Sequence, residues 1–263
     1  MPERTEYKPR TFCWADLVTS DTAAAKHFYP SLFGWEATDM PAGPSVYTMF
    51  RQDRKDVCAL YELSADMTQQ GVPTHWQSYA SVANVDESTS KATELGGTLI
   101  MPPMDAMEAG RMAVVQDPTG ARFALWQANK NVGAGIVNEP FALCWNELLT
   151  RDTKAAVEFY SGLFGWTAKK SASPMGGEYT EFRNGDDLAG GMLEIRPEWG
   201  PMPPNWAVYF SVDNCDAIIE KASALGAEAK MPALDIPAVG RICQLRDPQG
   251  AHFAIIQLEG PGD

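Results

Sequence analysis

Two short motifs place a tryptophan two residues before a carboxylate, Trp14 before Asp16 and Trp145 before Glu147. Both lie in apolar stretches typical of strands, where residues i and i+2 share one face. Burial against a tryptophan raises the pKa of a carboxyl towards neutrality, which suits a general base. We therefore predict Asp16 and Glu147 as catalytic candidates. The alternative is structural, with each carboxylate bonding a neighbouring arginine or backbone amide.

Other side chains are expected beside these motifs. Tyr79 and Tyr209 occupy matching places in a second pair of strand-like stretches, and Gln77 shares the face of Tyr79. A tyrosine combines an apolar ring with a polar hydroxyl, which suits a ligand that bears a ring, although many tyrosines only fill cores. The residues predicted to bind a ligand are Trp14, Gln77, Tyr79, Arg111, Trp126, Trp145, Tyr209 and Arg241.

The two arginines of that set, Arg111 and Arg241, each follow a glycine. A guanidinium in this place could bind an anionic ligand. The alternative is a structural ion pair, with Asp117 and Asp247 as the expected partners.

These matches belong to a duplication of the whole chain with a shift of about 131 residues. Residues 21–35 and 152–166 are identical at ten of fifteen positions, and residues 117–127 and 247–257 at seven of eleven. Such a period is far longer than that of a solenoid repeat and indicates two copies of a domain. We predict domains at residues 1–130 and 141–263, joined by a linker at 131–140.

Composition excludes several classes of protein. A net charge of −13 argues against nucleic-acid binding, which needs clustered lysine and arginine. The longest apolar runs are too short for a membrane span, and the polar first residues predict no secretory signal. The five cysteines are odd in number and lack a CxxC pair, so we expect a reduced, cytoplasmic protein.

The elements that must position these residues follow one order, β-α-β-β-β, four times. In the first repeat, a strand at 11–18 precedes a helix that Asp21 caps and Gly34 ends. In the second repeat, a strand at 76–82 precedes a helix that we expect Asp86 to cap. A helix between the first two strands implies a crossover connection. The predicted fold class is α+β.

Three motifs carry a resemblance to a known family: Phe-Tyr-x-x-Leu-Phe-Gly-Trp at a helix end, Leu-Gly-Gly in the first copy, and Gly-Arg followed by Asp-Pro-x-Gly. The chain resembles the vicinal oxygen chelate family, also called the glyoxalase, bleomycin-resistance and dioxygenase family, and within it two-domain actinobacterial members. The resemblance implies tandem duplicated domains, each built from two βαβββ units that form a U-shaped mixed sheet around a cleft. Trp14, Asp16, Trp145 and Glu147 would then face these clefts, and Phe12 would do so as well.

In metal-dependent members of that family, histidine, glutamine or glutamate side chains hold a divalent ion. The aligned positions are Trp14 and Trp145, Gln77 and Ala207, Ala124 and Ala254, and, near the third strand, Ala59 and Gly191. Tryptophan and alanine cannot coordinate a metal ion, and such an ion needs three or four ligands. None of the three histidines falls at these positions. We predict no metal and no other cofactor.

Two classes of function remain open from the sequence. The first is a metal-free binding protein that acts on or sequesters a small, partly aromatic metabolite. The second is a metal-independent isomerase, lyase or cyclase. Whether the chain is an enzyme therefore stays undecided. A glyoxalase or dioxygenase proper is a third, less favoured alternative. The expected partner is a small molecule, with neither nucleic acid nor membrane. Because two copies are fused, we expect a monomer. The first domain keeps the larger set of polar and aromatic residues, so we expect its cleft to be the functional one.

Overall fold

The computed structural model describes residues 3–43, 45–174 and 176–259. The outermost parts of the two predicted domains, residues 1–2 and 260–263, therefore lie outside it. The strands of the first half are β1 (Phe12–Thr19), β2 (Glu36–Ala42), β3 (Ser45–Gln52), β4 (Lys55–Glu62), β5 (His75–Ser81), β6 (Thr98–Ala106), β7 (Gly110–Gln116) and β8 (Arg122–Ala128). Its helices are α1 (Thr22–Phe33), α2 (Ala65–Gln69) and α3 (Val85–Glu94).

The second half repeats this order. Its strands are β9 (Leu143–Thr150), β10 (Thr167–Ala172), β11 (Glu178–Asn184), β12 (Asp187–Glu194), β13 (Asn205–Ser211), β14 (Glu228–Ala229), β15 (Leu234–Ile236), β16 (Gly240–Arg246) and β17 (His252–Leu258). Its helices are α4 (Thr153–Phe164) and α5 (Cys215–Ala224), with a short 3₁₀ turn at Pro197–Trp199. The four βαβββ units are thus confirmed, with the second strand of the last unit split into β14 and β15.

Each half forms one mixed sheet. The strand order is β2-β3-β4-β1-β5-β8-β7-β6 in the first sheet and β10-β11-β12-β9-β13-β17-β16-β14 in the second. β1 pairs with β4 in parallel and with β5 antiparallel, and β9 repeats this with β12 and β13. Each sheet curls into a half-barrel whose helices cover one side. The other side is called the concave face below.

Local sequence explains where the helices begin and end. The side chains of Asp21 and Asp152 accept the amide hydrogens of the residues three positions on, and both α1 and α4 end at a glycine with positive φ. The cap of α3 is Asn84, which accepts from the amide of Glu87, so the prediction of Asp86 as the cap was wrong by two residues. Asn84 offers the same acceptor oxygen and is followed directly by the buried Val85.

The two halves share their hydrophobic cores. One core joins α1 and strands of the first unit to β13, β16, β17 and α5 of the second half. The other joins α4 and strands of the third unit to β5, β7, β8 and α3. The helices therefore lie between the two sheets, with α1 beside α5 and α3 beside α4.

Two matching hydrogen-bond networks cross this shared interior. The hydroxyl of Tyr160 donates to Oδ2 of Asp117 at 2.8 Å and accepts from the indole of Trp206 at 2.7 Å. Asp117 uses its other oxygen to hold the amides of its own turn. Tyr29, Asp247 and Trp76 repeat the arrangement with the halves exchanged. The Phe-Tyr and Asp-Pro-x-Gly motifs thus join the two domains.

The five cysteines are free, and four of them are buried. Among the described residues, no helix has the length and apolar character that a membrane crossing requires.

Candidate functional site

The concave face of the first domain holds a carboxylate surrounded by three aromatic donors. Asp16 is 2% exposed. Its Oδ1 accepts from the indole of Trp14 at 2.6 Å and from the hydroxyl of Tyr47 at 2.6 Å, and its Oδ2 accepts from the hydroxyl of Tyr79 at 2.7 Å. Trp14 also donates to the Tyr47 oxygen at 2.9 Å. Both carboxylate oxygens are therefore satisfied by neutral donors.

Burial dominates the electrostatics of this carboxyl. It raises the pKa of Asp16 from 3.8 to about 6, although the hydrogen bonds from Tyr47, Tyr79 and Trp14 act in the opposite direction. Burial and the nearby Asp16 charge together raise the pKa values of Tyr47 and Tyr79 well above their ordinary value. Both tyrosines remain protonated donors at neutral pH.

The second domain repeats the cluster with one longer carboxylate. The hydroxyl of Tyr209 donates to Oε1 of Glu147 at 3.0 Å. Burial raises the pKa of Glu147, and hydrogen bonds from Tyr209, Tyr179 and Trp145 oppose that shift. Gly191 lies beside Glu147 in the sheet, and a Cβ there would collide with the Tyr179 hydroxyl. The absence of a side chain at Gly191 therefore leaves space for the Tyr179 hydroxyl.

The two concave faces differ in exposure. Trp14 is 5% exposed and Cys13 is fully buried, whereas their counterparts Trp145 and Cys144 are partly exposed. In the first domain the segment around Tyr7 and the linker residues Ala134 and Val137 pack against the aromatic cluster. Tyr7 is anchored there by a 2.7 Å hydrogen bond to the Ala134 carbonyl. More of the second face is thus open to a ligand, whereas the sequence favoured the first.

The positions that hold a metal ion in related enzymes do lie together in the sheet. Gln77 pairs with Asp16, which pairs with Ala59 on its other side, and Trp14, Tyr79 and Ala124 form the adjacent row. Of the four aligned positions only Gln77 carries a possible ligand oxygen, and its amide nitrogen donates to the Ser78 carbonyl at 3.2 Å. No group of three or more histidine, cysteine, aspartate or glutamate side chains suited to a metal occurs in residues 3–43, 45–174 and 176–259. The donor set does not fit a divalent ion.

The remaining predicted residues are divided between the cluster and the exterior. Trp126 packs in the first cluster and donates to the Asn131 carbonyl at 2.9 Å. Arg111 instead bonds Asp86 and Asp105 at the surface. Arg241 likewise bonds Asp216 and Asp235. These arginines do form ion pairs, but the expected partners Asp117 and Asp247 were wrong, because those carboxylates hold their own turns and the tyrosines of the opposite domain.

Phe12 was also placed wrongly. The pairing of β1 with β5 shifts between Phe12 and Trp14, which marks a bulge at Cys13. A bulge reverses the alternation of side chains. Phe12 consequently lies in the helix-side core against Trp206, with ring centroids 4.7 Å apart, while Cys13 turns to the aromatic cluster.

Sequence reasoning missed Tyr47 and Tyr179, which complete the two clusters. A signal was present, since both stand at the start of a matching Tyr-Thr-x-Phe-Arg segment in β3 and β11. Comparing the central strands of the two copies would have found them.

Comparisons with known proteins agree with this geometry. The family model "Glyoxalase/Bleomycin resistance protein/Dioxygenase superfamily" matches residues 11–125 and 142–255. "Putative glyoxylase CFP32" of Mycobacterium tuberculosis is 41% identical over 259 residues, which cover 98% of each chain. The anthracycline biosynthesis protein DnrV of Streptomyces peucetius is 35% identical over 265 residues, covering 97% of this chain and 95% of that protein.

A solved structure with the same fold is the Mn(II)-bound glyoxalase from Novosphingobium aromaticivorans. Its TM-score is 0.65 at 15% identity, with 96% of this chain and 83% of that chain covered. The duplicated βαβββ units, the family match over both halves and the relatives that span the full length have one explanation. The chain belongs to the glyoxalase, bleomycin-resistance and dioxygenase superfamily, with two domains of that family in tandem.

Proposed function

We propose that this chain binds and sequesters a small, partly aromatic metabolite on a concave face, without a resident metal ion. The observation that carries the proposal is the twin cluster of one tryptophan and two tyrosines around a buried carboxylate. The tryptophan of each cluster, Trp14 or Trp145, stands at a position that the family resemblance aligns with a metal ligand. Aromatic rings offer a stacking surface for a ring-bearing ligand. The hydroxyls and the carboxyl offer polar groups that would orient it.

The second domain is the favoured site. Trp145 and Tyr179 are partly exposed there, so a ligand can reach their rings without displacing the amino-terminal segment or the linker. Glu181, which pairs with Gly191 across the sheet, shares this face and has one buried carboxylate oxygen that makes no hydrogen bond and lies 3.7 Å from the guanidinium of Arg183. Its counterpart in the first domain is the apolar Met49. The open face thus combines aromatic surface with carboxyl groups.

The relatives indicate a class of probe. DnrV is named for anthracycline biosynthesis, and anthracyclines are fused-ring aromatic compounds. A fused-ring ligand would suit a wide concave sheet lined by indole and phenol rings better than a small aliphatic one.

The direct test is a titration of the purified protein with an anthracycline, followed by the fluorescence of the probe. Trp145→Phe should weaken binding at least about fivefold, because the smaller ring removes stacking area. The matched variant Trp14→Phe should leave the affinity near that of the wild type. If Trp14→Phe weakens binding more than Trp145→Phe does, the site lies in the first domain instead. Absence of binding, together with native mass spectrometry that finds no co-purifying metabolite, would reject the proposal.

A second candidate is a metal-independent isomerase, lyase or cyclase. The observation in its favour is the raised pKa of the buried carboxyls, about 6 for Asp16 and above the ordinary value for Glu147. A base with a pKa near neutrality transfers protons efficiently. Against it, both oxygens of Asp16 accept hydrogen bonds, and Glu147 also accepts from Tyr209, Tyr179 and Trp145, so an aromatic donor would have to release its bond before either carboxyl acted as a base.

Glyoxalase or dioxygenase chemistry is the third candidate, and the mycobacterial relative carries a related name. It conflicts with the aligned positions, which hold tryptophan, alanine and glycine and, in the first domain alone, one possible ligand, Gln77. Elemental analysis after mild purification tests this point. About one equivalent of nickel, zinc, iron or manganese per domain would overturn the metal-free part of the proposal.

A further inference from the structure

A groove of about 500 Å³ lies between the two domains, away from both concave faces. Its rim is formed by the segment before β1, the start of α3 and the end of α4. Lys8, Arg10 and Lys91 line it together with one carboxylate, Glu87. Three of the 21 lysines and arginines thus meet at one groove, although the chain has a net charge of −13.

The duplication supplies an internal reference for this groove, because the same junction occurs a second time with the domains exchanged. The carbonyl of Arg10 accepts from the indole of Trp166 at 2.9 Å, and the carbonyl of Phe141 accepts from Trp35 at 2.8 Å. Arg10 and Phe141 both have positive φ, 70° and 64°. The backbones of the two junctions therefore match, and their side chains can be compared position by position.

At the matched junction the space is filled by apolar groups. Phe141 packs against Phe33 with ring centroids 6.2 Å apart, and Ile218 of α5 is buried in the same core. The groove has Arg10 in place of Phe141 and Ser88 in place of Ile218. Two apolar side chains of the matched junction are thus replaced by polar ones at the groove.

The matching lysines of the two junctions also differ, because only one of them closes its junction with a hydrogen bond. Lys221 of α5 donates to the carbonyl of Leu32 at 3.0 Å and so closes its junction. Lys91, at the matching place in α3, lines the groove beside Leu163 and makes no ion pair among the described residues. Arg10 also makes no ion pair within residues 3–43, 45–174 and 176–259. Lys8 is already held by Asp187 at 2.8 Å.

Two cations without ion-pair partners at an open groove would attract an anion. Glu87 offsets one positive charge, and its 3.0 Å hydrogen bond from the neutral Asn84 side chain does not change that, but the two cations without ion-pair partners outnumber this one carboxylate. A guanidinium matches the paired oxygens of a phosphate or carboxylate group, and an ammonium adds a point charge. We propose that this inter-domain groove is a second ligand site, which binds the phosphate or carboxylate group of a small anionic metabolite through Arg10 and Lys91.

The probes for this site are inorganic phosphate and succinate, titrated into the protein while amide chemical shifts are followed by NMR. We expect saturable shifts confined to the groove, at Asn84 and Ser88 among others. The tighter of the two probes identifies the ligand group as phosphoryl or carboxylate. Arg10→Gln and Lys91→Gln should each weaken binding about tenfold, the effect of losing one charge-assisted hydrogen bond.

Two further variants make the result specific. Arg10→Phe installs the side chain that fills the matched junction, so it should abolish binding without lowering the melting temperature. Lys154→Gln removes the same charge from an exposed position on α4 and should leave binding unchanged. Loss of affinity in Lys154→Gln as large as in Lys91→Gln would show that only net charge matters and would overturn the proposal. So would the absence of saturable shifts with both probes.

Discussion

Replacing Asp16 with asparagine would measure how strongly the protein interior disfavours the charged carboxylate. Burial raises the pKa of Asp16 from 3.8 to about 6. Each unit of pKa corresponds to about 1.4 kcal/mol, so the full difference between the folded and unfolded states is about 3 kcal/mol. Asparagine keeps an acceptor oxygen for Trp14 and Tyr47, and the Tyr79 hydroxyl can rotate to accept from the new amide.

The direction of the pH dependence of stability follows from which state, folded or unfolded, binds the Asp16 proton more tightly. With a raised pKa, the folded protein holds the Asp16 proton more tightly than the unfolded chain does. The stabilisation from this group is complete below the unfolded pKa of 3.8 and is lost as the pH rises through about 6. A neutral asparagine has no such dependence.

Urea unfolding followed by intrinsic fluorescence, at intervals between about pH 4 and about pH 8, gives the free energies of unfolding. The free energy of unfolding of the variant minus that of the wild type should rise by about 2 to 3 kcal/mol as the pH increases across this range. Asp39→Asn is the control, because hydrogen bonds from Thr48 and Lys26 lower the pKa of that exposed carboxyl below 3.8, so its difference should stay nearly flat across this range. A difference between Asp16→Asn and wild type that stays flat would refute the buried-carboxylate account.

Three other outcomes are expected. Tyr160→Phe should lower the free energy of unfolding by about 2 kcal/mol, because it leaves the buried Asp117 oxygen and the Trp206 indole without their shared partner. A loss under about 0.5 kcal/mol would mean that water replaces the hydroxyl. If the chain is an enzyme, Glu147→Gln should lower kcat and leave binding largely intact, whereas in a binding protein Trp145→Ala should have the larger effect, on Kd. Sedimentation should find a monomer, because the fused second domain takes the place of a partner subunit, and a dimer that persists on strong dilution would contradict this.

Local signals made much of the fold predictable. The aspartate caps and glycine ends of α1 and α4 act within one turn of chain, and the duplication allowed each assignment to be checked against a second copy. The start of α3 was harder, because Asn84 and Asp86 both offer an acceptor oxygen close together. The geometry that decides between them is set when Val85 enters the core.

The site depends more on contacts that are distant in sequence. Alternation brought Asp16 and Trp14 to one face, but it could not show the bulge at Cys13 that sends Phe12 to the other. Nothing in strand periodicity shows that Tyr47 reaches Asp16 from two strands away, since the curl of the sheet provides that approach. Coverage of the first face by Tyr7 depends equally on tertiary packing.

The crossed tyrosine networks bear on how the chain could be divided. Tyr29 and Tyr160 each complete their hydrogen bonds only with an aspartate of the opposite half, and each helix layer is shared by both sheets. A half expressed alone would expose its side of both cores, so we expect neither half to fold independently. Two fragments separated within 131–140 would instead reassemble by complementation, with the peptide between them serving mainly to raise their effective concentration.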